Sequence, residues 1–323
     1  MGRTGVVFAL AGAALLLSGC RRYVSPAVGP LREVTVVTSQ RAVVEPAMRL
    51  ILQLPVPTPQ PESEFELRFF EPGQFRTWSL FRTVLLVGTS RDTVVRGVLG
   101  ARADSLPDGF GLFRVPNPWA ANQELLVFAS EGDTLLAAGL GRYAERIRET
   151  CRKIVLDHSA RAVYHRGLNK AATDSLRERF AFGVDVPASW FLNQENAVVG
   201  FVYLFGHHPD RNVFVYWQED ERRLDPGLMF DLRDRLTAEY YDGDSSADSL
   251  REARFVDFLG DSCLRISGIW QNRRDAIGGP FVSYCLNYQG RFFLIDALVF
   301  NPGRRKLDGL FQAEAVLRTF TPR

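Results

Sequence analysis

The chain has 323 residues, 46% of them hydrophobic and 24% charged, the balance of a packed globular protein rather than a disordered one. Its formal net charge is +2, so composition gives no argument for a nucleic-acid partner or for adhesion to an anionic surface. Lysine occurs only at Lys153, Lys170 and Lys306; GC-rich codon usage accounts for the arginine excess more simply than a functional surface does.

At the start, Arg3 precedes an apolar run from Val6 to Leu17. That run is too short to cross a bilayer, which takes about 20 residues. A basic start, a short apolar stretch and small residues before a cut site make a secretory signal. Leu17-Ser18-Gly19-Cys20 resembles a bacterial lipobox, in which the leader is removed in front of a cysteine that carries lipid. The reading is a signal peptide over 1–19, a lipidated Cys20 with a tether to residue 32, an N-terminal region 33–179 and a C-terminal region 180–323. The 323 residues less a 19-residue leader leave 304, enough for one large domain or two ordinary ones.

Pro26, Gly29 and Pro30 interrupt regular structure in the tether. Glu33–Thr38 alternates and is β-branched, a first strand. A helix with Pro46 in its first turn follows, with Ala47, Met48, Ile51 and Leu52 as its apolar stripe. Four prolines make Pro55–Pro61 an extended crossing. Strands are predicted at 65–70, 83–88 and 124–129, with a short helix at 92–100. Ser130 and Asp133 resemble a capping box. Behind it one long helix carries Leu136, Leu140, Tyr143, Ile147, Cys151, Ile154 and His158, the last read as a packing residue. A second helical piece covers 168–179.

The second half is β-rich. A hairpin joins 197–205 to 212–217 across Gly206-His-His-Pro-Asp210. Asp225-Pro226 opens a helix with Leu228, Leu232, Leu236 and Tyr240 in line, and Gly243 stops it. Strands follow at 254–259, 263–271, 281–288 and 292–300, and a last helix at 307–320. Helices and strands do not alternate strictly, which argues against a doubly wound parallel sheet. The predicted class is α+β: antiparallel-rich β-sheets packed against α-helices, in two sub-domains meeting near residue 180.

Gly268-Ile269-Trp270, Gly278-Gly279-Pro280-Phe281-Val282-Ser283-Tyr284, Val299-Phe300-Asn301-Pro302 and Arg305-Lys306 resemble the C-terminal pattern of the domain-of-unknown-function 4837 family. Pro61-Glu62 and Asn122-Gln123-Glu124 match it more loosely in the first half. Ser267 stands where that pattern has arginine, and Ile277 where it has methionine. The resemblance implies an envelope lipoprotein of a Gram-negative bacterium. It supplies no reaction and no functional residues.

Chemistry-bearing candidates are few. Gly278-Gly279-Pro280 reads as a positive-φ turn closed by an edge-strand proline, or else as an anion cradle. Trp270 belongs to the same motif. His207, His208 and Asp210 form a polar hairpin tip that offers metal-ligand types. Asp296 is the one acid in an apolar strand, with Arg265 or Arg291 as its expected partner. Ser283 or Cys285 with His207 would be the parts of a nucleophilic site. Trp190, Phe191, Phe201, Tyr203, Phe205, Phe214, Tyr216 and Trp217 read as core, or as the lining of a groove. Cys151, Cys263 and Cys285 remain beyond Cys20; hairpin register places Cys285 opposite Ile266, so a bridge to Cys263 is disfavoured against free thiols.

The expected function is a non-enzymatic envelope lipoprotein, held at the membrane by its lipid and binding or assembling another envelope protein. It calls for no cofactor, metal or nucleic acid. The alternative is an envelope hydrolase acting on glycan, peptide or lipid. Arg21-Arg22 with no acidic run favours the periplasm-facing side of the outer membrane over the inner.

Overall fold

Three apolar runs build the first sheet: β1 (Glu33–Val37), β3 (Thr83–Thr89) and β5 (Glu124–Ser130), each buried along its whole length. The computed structural model describes residues 24–180 and 182–323; the leader and Cys20 lie outside the described residues. With β2 (Glu66–Phe70) and β4 (Phe110–Pro116) the order is β2-β1-β3-β5-β4. Its β1–β2, β1–β3 and β3–β5 pairings are parallel, and only β4–β5 is antiparallel.

The α+β class stands, but this sheet is not antiparallel-rich. Parallel neighbours require a crossover, and α1 (Arg41–Leu52) and α2 (Thr93–Leu99) lie between its strands in the chain. Unbroken apolar runs are what such strands need, because both faces are covered. One face packs on α1, α3 (Asp133–Arg142) and α4 (Ala144–Val163) through Val44, Leu140 and Ile154. The other packs on Trp78, Val95 and Leu99.

Local expectations fail at several points. Pro46 lies inside α1 rather than in its first turn. The expected long helix is two, broken at Tyr143, whose φ is −97°. Gly132, not Ser130, is the N-cap of α3, with no side-chain cap. Strand β4 had no clean alternation to reveal it. From Val24 onward the expected spacer lies on the body. Ala27 donates to the Ala121 carbonyl (2.8 Å) and Val28 to that of Leu80 (2.9 Å). Arg32 is buried, bonded to Asp308 and to the Ser63 carbonyl.

The second sheet is antiparallel throughout. It comprises β6 (Phe191–Asn193), β7 (Phe201–Gly206), β8 (Asp210–Gln218), β9 (Ser245–Ser246), β10 (Glu252–Phe258), β11 (Asp261–Asn272), β12 (Ile277–Tyr288) and β13 (Arg291–Phe300). The order is β9-β11-β12-β13-β8-β7-β6, with β10 beside β9 on the outer edge of β11. Helix α7 (Leu307–Leu317) and α5 (Lys170–Arg179) cover one face. Helix α6 (Pro226–Tyr240) covers the other. Both cores are closed by side chains such as Phe293 and Phe281, and each fully buried phenylalanine stabilises by about 1.5–3 kcal/mol.

The β11–β12 turn is short, and Leu264, not Ile266, faces Cys285. Cys263 therefore points to the α7 face and Cys285 to the α6 face. They cannot bridge; the Cys263 thiol donates to the Cys285 carbonyl (3.2 Å). Cys151, Cys263 and Cys285 are all free and buried.

Candidate functional site

Along the α7 face of β10 and β11 the cross-strand pairs change character. Val256 faces Cys263, the next same-face pair is Arg254 with Arg265, and then Glu252 faces Ser267. Helix α7 packs on β12, β13 and β8, so the charged end of this face stays uncovered. There the second sheet meets α4 and the Leu54–Pro57 crossing, leaving a cleft of about 390 Å³. Leu54, Leu310, Phe311 and Pro280 give it apolar walls.

A relay of ion pairs braces one side. Glu64 accepts from Arg148 (2.8 Å) and Arg152 (2.7 Å). Arg152 donates again to Glu314 (2.7 Å), and the Tyr284 hydroxyl donates to the other Glu314 oxygen (2.7 Å). The relay ties α4, α7, β12 and the crossing together. Burial alone would raise the Glu314 carboxyl; Arg152, Arg265 and the Tyr284 hydrogen bond outweigh it and hold it at about 2. The same burial works against the Arg152 cation, and Glu314 and Glu64 reverse it. Glu62 accepts from the Lys306 and Leu307 amides at the start of α7 (2.6 and 3.4 Å), a carboxylate on the positive end of a helix. That gives the Pro61-Glu62 motif a structural purpose.

The opposite side lacks such compensation. Among the described residues neither Arg254 nor Arg265 has a carboxylate within ion-pair distance. Arg265 donates to Ser267 (3.0 Å), while its Nε is buried with no hydrogen-bond partner. Burial first, then Arg152, lowers the Arg265 pKa from its usual range. Sequence reasoning missed this pair as a site; it cast Arg265 as a partner for Asp296.

Asp296 pairs instead with Arg233 of α6 (2.7 Å), both fully buried. Ser283 donates to the same carboxylate oxygen (2.6 Å), and the Arg233 guanidinium lies 3.5 Å from the Phe281 ring centre. Neither Arg265 nor Arg291 takes that role. The inner stripe of α6 is Met229, Leu232, Arg233, Leu236 and Thr237, whereas Leu228 is exposed.

Gly278 and Gly279 lie inside β12, without positive φ. The positive-φ turn is therefore not there, and Pro280 is in a central strand. Trp270 sits directly across from Gly279. A Cβ on Gly279 would overlap the Val299 carbonyl oxygen. The glycines are needed for close approach, not for turning.

His207 donates from Nδ1 to the Asp210 carboxylate (2.9 Å) at the exposed hairpin tip and packs on Phe205; it is not joined to Ser283 or Cys285. Among the described residues no three His, Cys, Asp or Glu side chains are placed to hold a metal. The aromatic group divides. Trp190 is in the α7-side core, and Phe201, Phe214 and Tyr216 are in the α6-side core. Phe191 stacks on Phe205 (5.2 Å) at the edge. His158 is buried in the first core, beside Arg161 (3.1 Å).

The fold and cleft define an α+β protein with a charged junction between two sheets. Residues 169–319, which include the second sheet and α7, match the family described as "Domain of unknown function (DUF4837)". That is the family of the C-terminal motifs. No curated protein matches the chain. A Bacteroides thetaiotaomicron VPI-5482 crystal structure is similar at 14% identity and a TM-score of 0.29, over 44% of this chain and 45% of that one. The chain thus spans less than half of that protein. The Saccharomyces cerevisiae Ran-binding protein Mog1p is 10% identical with a TM-score of 0.31, over 44% of this chain and 90% of its own. Likenesses this low carry no functional argument. Among the described residues no helix is long and apolar enough to cross a membrane.

Proposed function

We propose that this is a lipid-anchored protein of the bacterial cell envelope, held through Cys20 on the periplasm-facing side of the outer membrane, and that it works by binding in the cleft between its sheets. The cleft's construction carries the reading. Its walls come from four separate parts of the chain, and the Arg148–Glu64–Arg152–Glu314–Tyr284 relay holds them in one geometry. A preformed concave surface of mixed polarity suits a bound ligand or partner segment. The hydroxyl that sequence reasoning would draft for hydrolysis, Ser283, donates to Asp296, which pairs with Arg233 in a fully buried cluster. The anchor rests on Leu17-Ser18-Gly19-Cys20 and on the entry of the chain onto the body at Val24.

Metabolic labelling with radioactive palmitate tests the anchor. Label enters the wild type and is absent from Cys20→Ala. Unlabelled wild type, or label retained in the variant, would refute the anchoring. For the binding role, crosslinking from a cysteine placed at Pro57, on the cleft rim, should trap a partner or ligand that the same cysteine at exposed Arg273 does not.

A further inference from the structure

We propose that the cleft takes an organic anion, a carboxylate or phosphate monoester with an apolar body, whose charged group sits in the fork between Arg254 and Arg265. This deepens the binding reading and rests on it. Like charges directly opposite on antiparallel strands destabilise a sheet. Arg254 and Arg265 are such a pair; Glu314 acts on Arg265 only from beyond ion-pair distance, and among the described residues neither arginine closes on a carboxylate. The other two cleft arginines show what compensation looks like: Arg148 and Arg152 close on Glu64 and Glu314 at 2.7–2.8 Å. The fork has no carboxylate of its own within that reach, and the buried Arg265 Nε lacks an acceptor.

Arginine's planar donors suit an oxyanion held by two or more hydrogen bonds. Such an anion would end the repulsion and satisfy the orphaned Nε together. Arg152 beside Arg265 adds to the pull. Two features narrow the class. Glu252 stands one same-face rung from the fork, and the lining holds four arginines against three glutamates. That slight excess suits one anionic group and repels a polyanion. Leu54, Leu310, Phe311 and Pro280 line the rest, which asks for an apolar body behind the charge. At about 390 Å³ the cleft holds a small organic acid or one end of a larger one.

Calorimetry on the full chain in a non-ionic detergent tests this with hexanoate, acetate and inorganic phosphate. Hexanoate should bind more tightly than acetate or phosphate. Arg254→Gln and Arg265→Gln should each weaken it roughly tenfold, while Arg273→Gln leaves it unchanged. Without ligand, Arg254→Gln should melt no lower than wild type, since it removes a repulsion. Arg265→Lys keeps the charge without the planar fork and should bind between wild type and Arg265→Gln. Hexanoate affinity equal in wild type and both glutamine variants, or no binding of any probe at 10-fold millimolar excess, overturns the fork. Phosphate or acetate binding as tightly as hexanoate overturns the apolar body and points to a free inorganic or small anion. If the fork fails while the Pro57 crosslink still traps a partner, only this inference falls; if both fail, the binding reading falls too.

Discussion

The indole N–H of Trp270 donates across Gly279 to the Val299 carbonyl at 3.1 Å. Extending the β12–β13 register one step beyond Phe281–Leu298 sets Pro280 against Val299. Proline has no amide hydrogen to give that carbonyl. Trp270, directly opposite Gly279, supplies the missing donor over a residue with no side chain to block it. The Gly-Ile-Trp and Gly-Gly-Pro-Phe motifs are thus two halves of one joint in the sheet.

That joint predicts a pair of stability losses. Trp270→Phe keeps most of the buried ring but leaves a buried carbonyl without a donor, a loss of about 1–3 kcal/mol. Gly279→Ala should cost at least as much, because the new methyl meets the backbone of Val299 and the indole together. Urea melts of both variants check this. Wild-type stability in Trp270→Phe would show that the indole bond is incidental.

The Arg233–Asp296 pair predicts an asymmetry between single and double replacement. Asp296→Ala strands a buried guanidinium and should lose about 3–5 kcal/mol, and Arg233→Met strands a buried carboxylate at similar cost. Replacing both together, Arg233→Met with Asp296→Leu, should recover most of that loss, since a buried pair stabilises little more than an apolar isostere does. A double-mutant cycle by chemical denaturation reads the coupling. Strictly additive losses would contradict the pairing.

Much of this architecture is legible in the residues, and what is not has physical reasons. The long strands of the second sheet end at turn residues, so their bounds read well. The first sheet's parallel pairing was hidden because helices and strands do not alternate strictly along the chain; the unbroken apolar runs of β3 and β5 were the signal. Arg233 was overlooked beside Leu232, although its four-residue step from Met229 places it on the inner stripe of α6. The Arg254–Arg265 fork follows from the Leu259–Gly260 turn, both residues at positive φ, once Phe258 is set against Asp261. The relay from Glu64 through Arg152 to Glu314 has no such signal. Its members lie far apart in the chain, and only the packing of α4 on α7 brings them together.

The buried thiols give a third prediction. Burial pushes Cys151 and Cys263 up to about 12 and Cys285 well above the usual thiol range. Thiolate is the reactive form. In Cys20→Ala, an aromatic disulfide reagent at pH 8 should therefore titrate no thiols in the native protein and three in 8 M urea. Fewer than three on denaturation would reveal a bridge, contrary to the opposite facing of Cys263 and Cys285.

Two groups make stability depend on pH in the same direction. Burial, and then Arg82, Arg161 and Arg114, push His158 down to about 3 from 6.5. Between those values the unfolded chain binds a proton that the folded one refuses, so this stability is complete above pH 6.5 and is lost as pH falls toward 3. Glu314 is held at about 2 against 4.5; its share is complete above pH 4.5 and is lost as pH falls through 2. Urea midpoints should thus fall steadily below pH 6.5. His158→Gln should flatten the span from pH 6.5 to 4.5, and Glu314→Gln should flatten the part below 4.5 while loosening Arg152. A midpoint unchanged between pH 7 and 5 in the wild type, or the same slope in His158→Gln, would show that His158 does not stay neutral in the fold.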